Sequence, residues 1–300
     1  MKKFLLVLAV IVLFLAPPYV FKDRKHYRLL GPSLRELQYT EVTFRNGDLD
    51  LAGMLFLPEG KGPFPVAVLV QGSGQSRRDN AWYLSVVKHL QESGIAVLDP
   101  DKRGSGKSGG DWKKATFRDL AGDASSAVDF VDSLTTFQHS TLGVIGFSQG
   151  GWITPIVAAE NDKVNFVVTM SGAAVSTDEQ LFHEVTNDIA RAGTYHFLAR
   201  IIAPIPDYFV RRSDFWQLIG GFDPIPYWKK VKVPVFMAFG EGDRNVPVGK
   251  SLERIRALNQ INISTRVYPK GGHAIFDPIT QRVQEQYLDD LTNFILNASR

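Results

Sequence analysis

Residues 142–160 read "LGVIGFSQGGWITPIVAAE". The opening apolar run is typical of a buried strand, and residues 152–160 have the pattern of a helix. Between them, Gly146-Phe147-Ser148-Gln149-Gly150 matches G-x-S-x-G. After a strand and before a helix, this motif is a sharp turn that lifts the serine hydroxyl above a sheet, and its glycines leave room for the strained turn. We therefore predict that Ser148 is a nucleophile, with an ordinary turn serine as the alternative.

Predicted strands and helices alternate along the rest of the chain. A hairpin comes first, with strands at 41–44 and 50–57 around a turn at 45–48. Further strands are predicted at 65–71, 95–99, 142–147, 164–170, 235–239 and 264–268, and helices at 81–92, 118–134, 152–160, 247–258 and 287–296. The alternation predicts an α/β fold with a mostly parallel, doubly wound sheet.

Residues 175–230 interrupt this alternation. We predict that they form a helical lid insertion, which leaves 41–174 and 231–300 as the core domain. Some of its aromatic side chains would pack on the core, and the others would form an apolar wall over Ser148. The alternative is contact with a membrane, with Arg211 and Arg212 near the headgroups. The aromatic residues are Phe182, Tyr195, Phe197, Tyr208, Phe209, Phe215, Trp216, Phe222, Tyr227 and Trp228.

The composition limits the classes of function. Of 300 residues, 44% are hydrophobic and 22% are charged, which suits one large core domain with an insertion. The net charge of +3 is small and both signs are interspersed, so we expect no nucleic-acid-binding surface. Cysteine is absent, which excludes disulfides, thiolate metal sites and a cysteine nucleophile.

The N-terminal segment, residues 1–21, resembles a targeting segment. It starts with Met1-Lys2-Lys3 and continues as an unbroken apolar run over 4–16. We predict a signal peptide or an N-terminal membrane anchor, then a linker at 22–40, with the catalytic body beginning near Leu34. The protein is thus expected to be exported or membrane-anchored, with its catalytic domain outside the cytoplasm. A buried core helix is the alternative for the apolar run.

A serine hydroxyl is a weak nucleophile unless a base takes its proton and an acid orients that base. Two later loops supply candidates. "FGEGDRNVP" follows the strand at 235–239 and contains Asp243, and "YPKGGHAIF" follows the strand at 264–268 and contains His273. Loops after parallel strands share the sheet edge at which Ser148 also lies, so we expect the three side chains to meet there.

The chain resembles an α/β-hydrolase of the serine esterase or serine aminopeptidase type from about Glu41 to its C-terminus, outside the insertion. The resemblance implies the α/β-hydrolase fold and a catalytic triad of Ser148, Asp243 and His273. It is carried by Gly146–Gly151, Gly240-Glu241-Gly242-Asp243 with Val246-Pro247, Gly272-His273, and "DKRGSGKS" at 101–108, which is similar to that family's D-x-R-G-x-G-x-S loop.

The resemblance also implies an oxyanion hole made of backbone N–H groups. "QGSG" at 71–74 lies where family members commonly carry His-Gly-x-Gly. The donors would be Ser73, or its neighbour Gly74, together with Gln149. Gln71 in place of histidine is a departure that affects the positioning of the loop more than the donors. One such donor is typically worth a factor of about 10²–10³ in rate.

The glycines of "RGSGKSGG" at 103–110 also match two phosphate-binding patterns. Residues 104–109 fit G-x-G-x-x-G, and 106–108 end like a P-loop. A P-loop needs a glycine five residues before its Gly-Lys pair, where this chain has Asp101, and the dinucleotide motif opens directly into a helix, which is not predicted before about Thr116. We therefore predict a tight surface loop at the rim of the site and no bound cofactor.

Other polar residues are weaker candidates. Asp223 is a rival to Asp243 but belongs to the insertion, as do His183 and His196, for which a surface position is the simpler interpretation and a pocket lining the alternative. Arg77-Arg78-Asp79 is interpreted as a solvated loop, with a substrate carboxylate as the alternative partner. No metal site is predicted, because the histidines are scattered.

These residues predict a serine hydrolase that cleaves carboxylic esters through an acyl-enzyme intermediate. Its partner would be a small-molecule ester or acyl substrate, with membrane association through residues 1–21. A peptidase or thioesterase using the same triad is one alternative, and a non-catalytic binding protein on a hydrolase fold is another. The binding protein would be expected to have lost part of the triad, whereas Ser148, Asp243 and His273 are all present.

Overall fold

The computed structural model describes Lys22 and residues 28–299, whose strands form one eight-stranded sheet. The order across the sheet is β1-β2-β4-β3-β5-β6-β7-β8. The strands are β1 (Thr40–Asn46), β2 (Leu49–Phe56), β3 (Phe64–Val70), β4 (Ala96–Pro100), β5 (His139–Phe147), β6 (Phe166–Met170), β7 (Val235–Gly240) and β8 (Ile263–Tyr268).

Most of the sheet is parallel. β2 is antiparallel to both β1 and β4, and the other neighbours pair in parallel. All residues of β3, β6 and β7 are buried, because helices cover both faces of the sheet there. This explains the unbroken apolar runs and confirms the predicted mostly parallel sheet.

Helices cover the sheet on both faces. α2, α3 and α9 contribute to the apolar core on one face, and α1 and α10 to the core on the other. The helices are α1 (Ala81–Glu92), α2 (Phe117–Ser133), α3 (Gly150–Glu160), α4 (Thr177–Arg191), α5 (His196–Ile202), α6 (Pro204–Arg211), α7 (Asp214–Ile219), α8 (Ile225–Trp228), α9 (Val248–Arg256) and α10 (Glu285–Ala298).

The strand that leads to Ser148 is longer than predicted. β5 begins at His139, not at Leu142, and its first residue pairs with Phe64 of β3. His139 is a partly exposed and Ser140 an exposed polar residue, so the apolar run does not include them. Backbone pairing extends the strand where the side chains alone do not indicate it.

The predicted insertion contains α4 to α8, between β6 and β7. Its aromatic residues have three kinds of environment. Trp228 is fully buried in the core, whereas Phe215 and Trp216 face the cavity that contains Ser148. Phe197 and Phe209 are exposed to solvent.

The predicted signal peptide or anchor, residues 1–21, lies outside the described residues. In the part of the chain that the structure describes, no helix is both long enough and apolar enough to cross a bilayer.

Candidate active site

Ser148 occupies a strained turn at the end of β5. Its φ is 50°, in the left-handed region that non-glycine residues rarely adopt, and its N–H donates to the carbonyl of Met170 at 2.9 Å. A Cβ on Gly150 would lie 2.1 Å from the carbonyl oxygen of Val70, and a Cβ on Gly146 would lie 2.5 Å from that of Gly150. The motif needs both glycines because backbone occupies the space of a side chain.

The three side chains proposed from sequence meet above this turn. Nε2 of His273 lies 2.9 Å from Oγ of Ser148, and Nδ1 of His273 lies 2.9 Å from Oδ2 of Asp243. The Asp243 side chain is fully buried, and its Oδ1 accepts the N–H groups of Asn245 and Val246 at 2.9 and 3.2 Å. These two bonds leave Oδ2 directed at the imidazole.

Trp82 packs against the histidine, a contact that sequence reasoning missed. Its ring lies 5.4 Å from the His273 ring and 5.3 Å from that of Phe147, both edge to face. Its indole N–H donates to Sδ of Met170. Trp82 is the second residue of α1, which follows the Gly72–Gly74 loop, so its place in the chain was a usable signal. The contact packs one side of the imidazole against the indole.

Ser73 and Gln149, the predicted oxyanion donors, both line the cavity beside Ser148. Within residues 28–299, neither backbone N–H donates to another protein group. The N–H of Gly72 is taken by Oη of Tyr83 at 2.9 Å. Gly74, the alternative donor, is not among the residues that line the cavity. Ser73 and Gln149 thus offer two N–H donors in the wall around Ser148 that no group of the described residues accepts.

Gln71 is buried and does not point into the cavity. Its Nε2 donates to Oδ1 of Asp99 at 2.7 Å and to the carbonyl of Pro100 at 2.9 Å. Burial is the main cause that raises the pKa of Asp99 to about 7; the charge of Asp101 contributes to this rise, and the hydrogen bond from Gln71 opposes it. Gln71, which stands where family members commonly have histidine, therefore anchors the loop after β3 to the end of β4.

The cavity over Ser148 has a volume of about 300 Å³. Residues of the core form part of its lining, and residues of α4 and α7 of the insertion form another part. The residues from the insertion are Thr177, Gln180, Leu181, Glu184, Phe215, Trp216 and Ile219.

Glu184 is the acidic residue of the cavity wall, and sequence reasoning also missed it. It is half-buried, and it forms no hydrogen bond or ion pair within the described residues. Burial raises its pKa, and the charge of Asp188 adds to the rise, whereas His273 opposes it. The cavity wall thus contains a carboxylate that has no hydrogen-bond or ion-pair partner among the described residues.

The other acid and histidines considered from the sequence form no hydrogen bond or ion pair with the candidate triad. Asp223 accepts a bond from Arg254 at 2.7 Å and does not contact His273. His183 bonds Asn187 at 2.9 Å and, with His196, lines a separate cavity. In the described part of the chain, no group of three or more His, Cys, Asp or Glu side chains is arranged to hold a metal ion.

The interpretation of Arg78 as part of a solvated loop was wrong. Its guanidinium pairs with Asp101 and with Glu41, at 2.6 Å in each case, and its side chain is only 18% exposed. Arg77 and Asp79 do form an exposed pair. The fold brings Asp101 and Glu41 to Arg78 from distant positions in the sequence, so the local pattern does not reveal the pairing.

The glycine loop after β4 folds around its own carboxylate. Oδ2 of Asp101 accepts the N–H of Lys107 at 2.9 Å, and Gly106 has a φ of +54°. A Cβ on Gly106 would lie 2.3 Å from Cγ of Asp101. The carboxylate occupies the centre of the loop, which is the tight surface loop that the sequence predicted.

A model of the prolyl oligopeptidase family, Peptidase_S9, matches residues 81–300, well over half of the chain. The chain belongs to the prolyl oligopeptidase family. This membership makes it a hydrolase and confirms the resemblance to serine hydrolases of the α/β-hydrolase fold.

Two proteins to which the chain is similar carry different names. The chain is 27% identical to the acylamino-acid-releasing enzyme of Rattus norvegicus over 248 residues, which are 76% of the chain and 31% of the relative. It is 26% identical to esterase EstD of Thermotoga maritima over 211 residues, 65% of the chain and 50% of the relative. The chain thus spans a third to a half of the length of these curated relatives.

Solved structures agree on the fold. An esterase of Pyrococcus furiosus matches with a TM-score of 0.67 at 20% identity, over 91% of this chain and 99% of that one. An acylaminoacyl peptidase of Pyrococcus horikoshii matches with a TM-score of 0.61 at 18% identity, over 86% of this chain and 41% of that one. At these identities the likeness shows the α/β-hydrolase fold alone.

Proposed function

We propose that this family member is a serine esterase in which Ser148, His273 and Asp243 form the catalytic triad. The observation that carries the proposal is the pair of 2.9 Å contacts that His273 makes, one through each ring nitrogen. This geometry gives the imidazole a proton to donate to the carboxylate and a free lone pair for the serine hydroxyl.

The reaction would proceed in two halves. Nε2 of His273 takes the proton from Oγ of Ser148 as Oγ bonds to the acyl carbon, and the protonated imidazole then gives that proton to the departing alkoxide. Water enters, loses a proton to the same nitrogen and attacks the acyl-serine. The second tetrahedral intermediate collapses, and Ser148 recovers its proton as the carboxylic acid leaves. His273 is 23% exposed, which leaves a route for that water.

The negative charge that forms on the acyl oxygen in both halves would be held by the N–H groups of Ser73 and Gln149. Both groups are free of other partners within residues 28–299 and lie in the wall around Ser148. Donors that are already oriented before the reaction stabilise the oxyanion without reorganisation, which is commonly the largest contribution to such catalysis.

The ester specificity is supported by the size of the cavity. A volume of about 300 Å³ is near the lower end of the range for small-molecule sites, about 300–1,000 Å³. The insertion contributes seven of its lining residues. An acyl group of modest length would fill this space, whereas an extended peptide needs a longer groove.

The second candidate is a peptidase that uses the same triad, and a thioesterase differs from it only in the leaving group. The peptidase is favoured by one observation: acylamino-acid-releasing enzymes of rat, human and mouse are 27–28% identical to the chain over 73–76% of its length. An amine is a poorer leaving group than an alkoxide, so this reaction would depend more strongly on proton donation by His273.

The test combines labelling with turnover. The protein and its Ser148→Ala variant would be treated with a fluorophosphonate probe, then assayed on p-nitrophenyl esters of increasing chain length and on an N-acetyl-alanine p-nitroanilide. Ser133→Ala, at an exposed position on α2, is the matched control. We expect labelling and ester turnover that disappear only in Ser148→Ala. Faster cleavage of the anilide than of the esters would support the peptidase, and an unlabelled, folded protein would contradict both.

We also propose that α4 to α8 act as a lid. Side chains from α4 and α7 contribute to the wall of the cavity, while α5 and α6 carry exposed apolar side chains, among them Phe197, Ile201, Ile205 and Phe209. An insertion that lines the substrate cavity on one face and exposes apolar side chains on another has the features of a mobile lid.

Export or membrane anchoring is a proposal that rests on residues 1–21 alone. The basic start and the apolar run support it. Fractionation of cells producing the full chain with a C-terminal tag, with mass determination of the product, is the test. A shortened chain outside the cytoplasm would indicate a signal peptide, and a full-length chain in the membrane fraction would indicate an anchor. A full-length chain in the cytoplasm would contradict both.

A further inference from the structure

Lys102, in the loop after β4, is buried behind the candidate oxyanion hole. Its ammonium donates to the carbonyl oxygen of Gly72, to that of Gly74 at 3.2 Å and to Oε1 of Gln149 at 3.3 Å. The residue is 9% exposed. The three N–H groups of the ammonium therefore have three oxygen partners, and among the described residues no carboxylate forms an ion pair with it.

Two of these oxygens flank Ser73. The C=O of Gly72 and the N–H of Ser73 are the two ends of one trans peptide group, so they point in opposite directions from a planar unit. A cation that holds the carbonyl on the buried side directs the N–H to the opposite side. It also polarises the peptide group, which strengthens the N–H as a donor. The hydrogen bond to Gly74 holds the backbone on the C-terminal side of Ser73.

The third oxygen belongs to Gln149, whose backbone N–H is the second candidate donor. Gln149 is buried, and it immediately follows the strained turn at Ser148. One ammonium thus connects the loop after β3 with the turn after β5. These are the two segments whose spacing would set the distance between the two oxyanion donors.

We propose that Lys102 is a positioning residue of the oxyanion hole, which orients the N–H groups of Ser73 and Gln149 and places a positive charge behind the developing oxyanion. The inference rests on the proposed function, because it presupposes acyl transfer at Ser148. It goes beyond that function in assigning an electrostatic role to a side chain that does not contact the substrate. The alternative is a buried lysine that only joins two loops.

The test replaces the ammonium with an apolar chain of similar length. Lys102→Met and Lys102→Arg would be compared with Lys107→Met, an exposed lysine of the same loop that pairs with Glu41. For Lys102→Met we expect kcat on p-nitrophenyl butyrate to fall by about 10- to 100-fold, because one oxyanion donor is commonly worth 10²–10³. KM should change by less than about threefold. Lys107→Met should match the wild type.

A transition-state analogue separates positioning from packing. A trifluoromethyl ketone forms an adduct with the serine that carries the oxyanion, so its affinity should fall in parallel with kcat in Lys102→Met. Partial rescue in Lys102→Arg, which keeps the charge, is also expected. A Lys102→Met variant with a lower melting temperature but unchanged kcat and inhibitor affinity would overturn the proposal.

If Lys102→Met does not fold, the pH profile of the wild type decides. Burial lowers the pKa of Lys102 to about 8, so kcat should decrease as pH rises through that value. The neighbouring titratable groups are Tyr83 on α1, whose pKa burial raises to about 12, and Asp99, with a pKa of about 7. Arg78 and Asp101, two further charged groups of these loops, form an ion pair.

A decrease near pH 8 that moves upward in Lys102→Arg would support the proposal, and a kcat that stays constant through pH 8 would overturn it. An inactive, unlabelled wild type would refute the proposed function itself. Active wild type with an unaffected Lys102→Met would refute only the role of Lys102.

Discussion

Oδ2 of Asp243 lies 2.9 Å from Nδ1 of His273, and the carboxylate is completely shielded from solvent. Its other oxygen is held by two backbone N–H groups of the same loop. The carboxylate therefore cannot rotate without losing those bonds. A fixed acceptor at this position selects the imidazole tautomer that leaves Nε2 unprotonated toward Ser148.

Replacing Asp243 with asparagine should reduce kcat by about 10³- to 10⁴-fold on p-nitrophenyl butyrate, because an amide can donate to the ring and stabilise the wrong tautomer. Initial rates at pH 7.5, about neutrality, are the measurement. Asp223→Asn is the matched control and should change kcat by less than about threefold, since Asp223 pairs with Arg254. Equal losses in both variants would contradict the assignment.

The turn at Ser148 should not tolerate a side chain at Gly150. Gly150→Ala brings a Cβ to 2.1 Å from the carbonyl oxygen of Val70, and we expect a loss of at least about 2 kcal/mol in the free energy of unfolding. Gly249→Ala is the control, because a Cβ there meets no atom of the described residues within 4 Å and alanine favours the helix. Urea unfolding of both variants would check this. A stable Gly150→Ala would indicate a more flexible turn.

Glu184 should make the cavity unfavourable for anionic acyl groups. For Glu184→Gln we expect kcat/KM on p-nitrophenyl hemisuccinate, relative to the neutral butyrate ester, to increase by about 3- to 10-fold, the effect of removing one partly buried like charge. Because burial raises the pKa of Glu184, the wild type should lose this discrimination as pH falls through the raised pKa. Glu179→Gln, on the same helix and paired with Lys250, is the control. An unchanged ratio would contradict a role for Glu184.

Asp99 should make the fold more stable at acidic pH. Its pKa is raised to about 7 in the folded state, so the folded protein binds more protons than the unfolded chain between about pH 4 and 7. That contribution is complete below about pH 4 and is lost as pH rises through about 7. In Asp99→Asn the side-chain oxygen can still accept from Gln71, but the group no longer titrates, so this pH dependence should disappear. The variant should be more stable than the wild type at pH 8, about one unit above that pKa, because it has no buried negative charge at this position.

Urea unfolding of wild type and Asp99→Asn at several pH values is the measurement, with Asp48→Asn at the exposed hairpin turn as the control. A stability difference between wild type and Asp99→Asn that does not vary with pH would show that Asp99 does not titrate in this range.

Phe215 should limit the length of acyl chain that the cavity accepts. Its side chain lines the cavity and packs edge to face on Trp112 at 5.7 Å. In Phe215→Ala, the optimum among p-nitrophenyl esters should shift to chains longer by about two to four carbons, given the volume that a phenyl ring leaves. Phe209→Ala, an exposed aromatic of the same insertion, should keep the wild-type optimum. Identical shifts in both would argue for a general loosening of the insertion.

Several features were predictable because they are local or follow from topology. The strand–turn–helix around Ser148 has all of its requirements within residues 142–160. Asp243 and His273 could be proposed because each follows a strand, and parallel strands end at one edge of the sheet. The sheet and its apolar strands were confirmed for the same reason, since a strand covered on both faces is apolar at every position.

Other features depend on contacts between distant segments. The ion pair between Arg78 and Asp101, the ammonium of Lys102 behind Ser73 and the edge contact of Trp82 on His273 each join two loops, or a loop and a helix. The chain's local pattern indicates that these side chains lie in loops or on a helix face. It does not indicate which group they meet.

The sequence by itself thus determined the fold class, the order of the strands along the chain and the residues to examine as nucleophile, acid and base, because hydrophobic periodicity and short motifs are properties of neighbouring residues. Only the tertiary structure decided that Phe215 faces the cavity while Phe209 faces solvent. It likewise decided that Glu184 lines the cavity that contains Ser148, with no hydrogen bond or ion pair to any described residue. The helical pattern of the sequence is compatible with either orientation of such a side chain, toward the cavity or toward solvent. The packing of the whole insertion on the sheet selects the orientation.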